Sequence, residues 1–193
     1  MHDAPAQLFD AAERVLLRDG PSALTSRAVT AEAGCAKGVL HRHFVDFDTF
    51  LAEFVLDRIA RLGEQAAILR QAAGTGTVAA NLTRALTDLF QSPAREILGL
   101  VTSRHGLLTR LRPTTPTGIP VLAEATAMFA SYLRLERELG RVNPGADVDA
   151  LAPMLIGTGH LLFAGQQNAL PELDDVEKLV TGVIAGAVPG PEG

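Results

Sequence analysis

The sequence predicts an all-α protein of about nine helices, on three observations. Apolar residues recur at three- and four-residue spacing through nearly every segment, and no stretch alternates in the period-two manner of a half-buried strand. Helical stripes are also bracketed by capping residues, prolines or glycines. A chain of 193 residues, 47% hydrophobic and 20% charged, has the apolar content for a packed core, and one of this length buries about 70% of its unfolded surface. Disordered, collagen-like and low-complexity classes are excluded by the same figures. No repeat of fixed period is visible, which argues against a helical solenoid.

The first helix carries Leu8, Phe9, Ala12, Val15 and Leu16 on one stripe, with Pro5 near its start and Gly20 as the left-handed residue that ends it. Two short helices follow. Thr25 is placed to cap one whose inner face is Val29 and Ala33 and whose end is Gly34. Cys35, Val39 and Leu40 supply the buried side of the next, Ala36 to His43, and the small Ala33 lets the two cross closely. Such a pair cannot bury its own apolar face, so the first and fourth helices must complete a three-sided core. The fourth helix spans 46–71, opens on the capping carboxylate of Asp46 and continues through Phe50, Leu51, Phe54, Val55, Ile59 and Leu62. Val78, Leu82, Leu86 and Leu89 mark another helix, and Ser92-Pro93 cap and open the one bearing Ile97, Leu98 and Val101. The stretch from Arg112 to Pro120, with three prolines, is the clearest long loop. Beyond it Val121, Leu122, Ala125, Met128, Phe129, Tyr132, Leu135 and Leu139 form one long amphipathic helix ending at Gly140. Two last helices run from Val148 to Leu170 and from Asp174 to Val188, and the closing VPGPEG reads as a frayed tail.

The chemistry the sequence advertises is electrostatic. No HExxH, GxxxxGK[ST] or GxSxG motif and no carboxylate pair around a histidine suggests an enzyme, and no cofactor is implied. His41 and His43 are alternate residues that a helix points to different faces, with no third ligand near in sequence, so no metal site is expected. Cys35, the single cysteine, reads as a buried, inert thiol in a reducing compartment. The N-terminus lacks an apolar leader, and the most apolar stretch, Met154 to Gly165, is too short and too polar to span a bilayer; a cytoplasmic protein without membrane contact is expected. The net charge is −5, yet Thr25 to Phe44 hold Arg27, Lys37 and Arg42 against Glu32 only, a local +2. An acidic chain with one cationic helix pair, exposing Arg27, Lys37, His41, Arg42 and His43, has a localised attraction for phosphate, which predicts specific, modest-affinity DNA binding.

Leu24 to Leu51 resembles the helix-turn-helix and following helix of the TetR family of one-component bacterial transcriptional regulators, through the Ala33-Gly34 turn, Gly38-Val39-Leu40 and the His43-Phe44 pair. The resemblance implies a DNA-binding domain at 1–47, joined through the helix 46–71 to a ligand-binding and dimerisation domain at 48–193. It implies that the Ala36–His43 helix enters the major groove with Lys37, Gly38 and Val39 near base edges. Thr25, Ser26, Arg27, His41 and His43 would then lie near backbone or flanking bases, with Arg42 on the same surface. The pattern is departed from in three places: Ala36 for a capping serine, His41-Arg42 for an aromatic pair, and Phe47 for a lysine. They predict weaker and more pH-dependent DNA binding than is typical.

The resemblance further implies an apolar effector pocket among the central helices. Met128, Phe129 and Tyr132 are candidates for its lining from the long helix, and Arg104, His105, His160 and Phe163 from helices packing beside it. Ordinary core packing competes for Met128 and Phe129, and a water or backbone carbonyl for the histidines. With 5% aromatics and no Trp, a hydrophobic or amphipathic small molecule is favoured over a flat polyaromatic cation. In the family the last two helices form a four-helix bundle across a two-fold axis, which assigns the interface to Gly157, Leu161, Val176, Leu179, Val180, Val183 and Ile184, with Gly159, Ala164 and Gly165 allowing close approach. The resulting expectation is a homodimeric regulator, a repressor released from a palindromic double-stranded DNA operator by its effector. An all-helical enzyme, and a helical dimer keeping a vestigial DNA head, are the competing classes.

Overall fold

The computed structural model describes residues 4–114, 118–164 and 170–189. In chain order they form α1 (Ala4–Asp19), a 3-10 turn (Pro21–Ala23), α2 (Ser26–Glu32), α3 (Gly38–His43), α4 (Phe47–Gln71), α5 (Val78–Gln91), α6 (Ala94–Ser103), α7 (His105–Leu111), α8 (Pro120–Glu138), α9 (Val148–Ala164) and α10 (Leu173–Ile184), with no strand among the described residues. The all-α expectation holds, with ten helices where about nine were expected.

Two compact units emerge: residues 1–60 with 93–121, and residues 61–92 with 122–193. α4 is continuous through the change from one to the other. The first unit reaches past residue 47 because α6 and α7 are pinned to the first helices. The Arg104 guanidinium donates to the Leu24 carbonyl at 2.8 Å, and Arg110 donates to Asp46 at 2.9 Å and to Thr49 at 3.1 Å. The core of this unit is aromatic. Phe9 of α1 lies 5.8 Å from Phe44 and 5.6 Å from Phe50, and Phe44 meets Phe50 edge-on at 5.1 Å, so the α3–α4 turn is clamped onto α1 and α4.

In the second unit α5, α9 and α10 pack on one another. The closest approach is at Gly159, where a Cβ would stand 2.8 Å from Phe90 Cε2; Phe90 is in turn stacked on Phe163 at 4.9 Å. A buried polar chain joins α5 to α8: Asn81 Nδ2 donates to the Tyr132 hydroxyl at 3.0 Å, which donates to Glu136 Oε1 at 2.5 Å, while Arg141 pairs with the other Glu136 oxygen at 3.5 Å. Burial, and then this hydrogen bond to Glu136, push the Tyr132 phenol above its ordinary value.

Several expectations need correction. α3 begins at Gly38 rather than Ala36, because neither Ala36 nor Lys37 supplies a side-chain cap. Cys35 is half-buried, not buried. The helix expected after Ser92-Pro93 is broken at Arg104, whose backbone is extended (φ −118°, ψ 94°) and which separates α6 from α7. Arg58 occupies the buried face of α4, and Ile59 is half-buried. Leu139 is exposed, and the last helix starts one residue early and ends at Ile184. Leu170 lies outside any helix. The centre of the long loop (115–117), Gly165 and the last four residues of the tail fall outside the described residues.

Candidate functional site

The helix-turn-helix is built as its sequence suggests. Thr25 Oγ1 accepts from the Ala28 amide at 3.2 Å and so caps α2. Gly34, at φ +65°, closes it, with the Cys35 amide donating back to the Thr30 carbonyl at 3.0 Å. Val29 and Leu40 anchor the two short helices in the core. After the turn, Asp46 Oδ1 accepts from the Thr49 amide at 2.6 Å and starts α4. That bond, together with Arg110, holds the Asp46 carboxyl below the usual carboxylate range.

The outer surface of this element is cationic and unpaired. Arg27, Lys37, Gly38, His41, Arg42 and His43 are exposed, as is the Thr25 residue, while Ser26 and Val39 are half-buried. Arg27, Lys37 and Arg42 make no hydrogen bond or ion pair among the described residues, whereas Arg14, Arg18, Arg58, Arg95, Arg104 and Arg110 of the same unit are all engaged. Glu32, the one acid of the helix pair, is held by Arg14 at 2.8 Å and Arg18 at 2.9 Å from α1. Those hydrogen bonds depress its carboxyl. Val45, 90% exposed in the α3–α4 turn, adds an apolar residue to this surface that periodicity did not single out. Phe47, standing where a lysine is usual in the family pattern, stacks on Phe50 at 5.5 Å and lies under the Arg104 guanidinium at 5.7 Å.

The candidates for effector contact are divided. Arg104 and His105 belong to the first unit, where Arg104 is committed to Leu24 and Phe47 and His105 is exposed. Met128, Phe129, Tyr132, His160 and Phe163 belong to the second. Phe129 and Tyr132 are fully buried, Phe163 stacks on Phe90, and His160 is half-buried with a buried Nδ1 that has no partner. Met128 alone of these lines a small open cleft of about 60 Å³, with Gln65, Ile68, Leu69 and Ala72 of α4 and its following turn and Asn81, Arg84, Ala85 and Asp88 of α5. Asn81 was detectable in the sequence as a polar residue on the apolar stripe beginning at Val78; nothing flagged Gln65.

Of the residues expected at a subunit interface, Val176, Val180 and Ile184 are buried within the chain, where α10 packs on α5 and α9. Leu179 and Val183 are half-buried, and Gly157 and Leu161 are exposed. No helix among the described residues is long and apolar enough to cross a membrane, and no group of three or more His, Cys, Asp and Glu side chains among them is placed to hold a metal ion.

Among the described residues the chain is all-helical, with an N-terminal helix-turn-helix that turns unpaired cations outward, followed in sequence by further helices. Residues 8–53 match the family described as bacterial regulatory proteins, tetR family. Solved structures extend the likeness to the whole fold. Reduced NemR from Escherichia coli has a TM-score of 0.75 at 13% identity, over 96% of this chain and 98% of that one. SmeT, the repressor of the Stenotrophomonas maltophilia multidrug efflux pump SmeDEF, has 0.66 at 19%, over 97% and 92%. FadR from Bacillus subtilis in complex with stearoyl-CoA has 0.67 at 17%, over 94% and 98%. At these identities the likeness is one of fold. No curated protein sequence matches the chain.

Proposed function

We propose that the protein is a homodimeric, sequence-specific transcriptional repressor that leaves a palindromic operator when a hydrophobic or amphipathic small molecule binds its second unit. The observation that carries the DNA reading is the freedom of Arg27, Lys37 and Arg42 on the helix pair while Arg14, Arg18, Arg104 and Arg110 beside them are engaged. Cations kept from internal partners are available to displace counterions from phosphate. Lys37, Gly38 and Val39 open the helix that would read base edges, with Thr25, Ser26, Arg27, His41, Arg42 and His43 on backbone and flanking bases.

Dimerisation is supported by Met154, Leu161, Leu170 and Leu173, each more than half exposed on or beside α9 and α10, and by the open space around Gly157. A second copy covering that surface would present two recognition helices to successive major grooves. An effector must then bind the form incompatible with the operator more tightly than the compatible one, since equal affinity shifts no population. The repressor role of SmeT and the acyl-CoA complex of FadR support such a reading by analogy of fold.

The test is fluorescence anisotropy of the full chain on duplex DNA from its own promoter, with unrelated duplex as competitor and salt as a variable. Binding should prefer the promoter, and Arg27→Ala or Lys37→Ala should each lower the salt slope by about 2, one phosphate contact per subunit. The missing side-chain cap of α3 favours one other reading, a ligand-binding dimer with a vestigial head. It predicts no sequence preference even at low salt.

A further inference from the structure

We infer that Arg110 of α7 is a positioning residue for DNA binding: it cancels the charge of Asp46, so that the turn joining α3 to α4 does not repel the phosphate backbone. This rests on the proposed DNA role and adds to it a residue from outside the helix-turn-helix. Residues 45–49 carry two acids, Asp46 and Asp48, and no cation. Asp46 stands three residues beyond His43, the last residue of α3, hence no more than about 11 Å from it along the chain. That is about one Debye length at physiological salt, so a phosphate held beside α3 would be repelled by a bare carboxylate at this position.

The fold requires an acceptor there. Asp46 Oδ1 takes the Thr49 amide at 2.6 Å and caps α4, which no lysine or arginine could do, since neither has an acceptor atom. Its other oxygen, Oδ2, accepts from Arg110 Nη2 at 2.9 Å, and Arg110 Nη1 donates to Thr49 Oγ1 at 3.1 Å. Two bonds to the first turn of α4 thus hold the guanidinium against the carboxylate. The two side chains are 43% and 46% exposed, and an exposed pair of this kind contributes little to stability. What it changes is the field: from a phosphate several ångströms further off, a charge and its opposite this close together nearly cancel. Arg104 stands toward Asp48 at 4.0 Å but is bound to the Leu24 carbonyl, so its hold on that acid is looser. Uncancelled, one carboxylate at about 9 Å costs a factor of about two in affinity, or about fivefold over the two subunits of the proposed dimer.

Fluorescence anisotropy of the full chain on promoter duplex, at about 50 mM and about 200 mM salt, tests this as a charge cycle. Arg110→Gln should weaken binding about fivefold at the lower salt and about twofold at the higher, while Arg110→Lys, which keeps the charge, should stay within about twofold of the parent. Adding Asp46→Asn to Arg110→Gln should restore the parent affinity to within about twofold, because asparagine caps a helix as aspartate does and carries no charge. A phosphate contact made by Arg110 itself, or a merely structural pin of α7 on α4, leaves the double variant as weak as Arg110→Gln. Either result, or an unchanged affinity in Arg110→Gln, overturns the inference. Melting curves show which variants are folded. Asp46→Asn alone, which leaves Arg110 unopposed, should tighten binding about fivefold, a second test that stands if Arg110→Gln does not fold, and equal affinity there also overturns the inference. The cycle is repeated on unrelated duplex at the lower salt, where binding is electrostatic and independent of sequence. Rescue there without promoter preference keeps the role of Arg110 and removes the operator reading, promoter preference without rescue does the reverse, and binding to neither duplex removes both.

Discussion

Gly159→Ala is the sharpest perturbation the packing offers. A Cβ at this position would lie 2.8 Å from Phe90 Cε2 and 3.1 Å from both terminal carbons of Leu86, well inside the roughly 3.5 Å at which carbon atoms make optimal contact. Neither neighbour can yield cheaply, since Leu86 is fully buried and Phe90 is stacked on Phe163. Overpacking of this kind costs about 1–3 kcal/mol, against a gain of about 1 kcal/mol when alanine replaces glycine inside a helix. The control is Gly63→Ala within α4, where a Cβ meets nothing within 4 Å and only the propensity gain applies. The two variants should therefore differ by about 2 kcal/mol, which for a chain of this size is about 4–8 °C in melting temperature. Thermal unfolding followed by far-UV circular dichroism, at one fixed protein concentration because a dimer's melting depends on it, measures the difference. A Gly159→Ala protein melting at or above Gly63→Ala would refute the close approach of α9 to α5.

Arg58→Ala should destabilise the protein by about 3 kcal/mol, the low end for breaking a buried ion cluster. Its guanidinium is 3% exposed and meets Asp10, Glu13 and Asp57, and those acids, 53%, 22% and 41% exposed, recover part of their hydration when it is gone. Urea denaturation checks this, and a loss below about 1 kcal/mol would mean that the cluster contributes no more than a surface pair. Acid sensitivity should centre on Glu32 and Asp46, whose carboxyls are held below their ordinary range by Arg14 and Arg18, and by the Thr49 amide, respectively. A depressed carboxyl contributes stability that is complete above its unfolded pKa and lost as pH falls through the folded one, so their share should stay constant from neutrality to about pH 5 and be lost progressively as pH falls from about 4 through the depressed folded values. Melting curves across pH 3–7 should show Glu32→Gln losing less on acidification than the parent protein, and equal losses would remove Glu32 from the account.

What could be read from the chain depended on whether the deciding partner was near in sequence. Thr25 and Asp46 announce helix starts because their acceptors serve amides three residues on, and both bonds are present. The break at Arg104 has no local signal in the sequence, and the side chain at the break meets a carbonyl eighty residues away, at Leu24. Counting apolar residues along α4 selects Ile59, yet the buried position belongs to Arg58, which becomes tolerable there only through acids on α1. Val176, Val180 and Ile184 form an apolar stripe in any reading, but periodicity cannot say whether a stripe meets its own chain or a second copy; here it meets α5 and α9. The cleft was invisible for the same reason. Tyr132 seemed a lining residue, whereas its hydroxyl is committed to Asn81 and Glu136.

The pairing of charges also explains how an acidic protein presents a locally cationic surface, the one proposed to meet DNA. With a net charge of −5, the chain as a whole repels a phosphate backbone, so attraction must come from short range, within about a Debye length of 8–10 Å. At that range the count that matters is of free charges. α1 contributes Arg14 and Arg18 to Glu32, the single acid of the helix pair, and so removes the one local charge that would oppose Arg27, Lys37 and Arg42. These two arginines, on a helix outside the pair, thereby strengthen a positive sign the pair already has. The same arrangement ties α1 to α2, so the contact that joins them is also the one that offsets the pair's single acid.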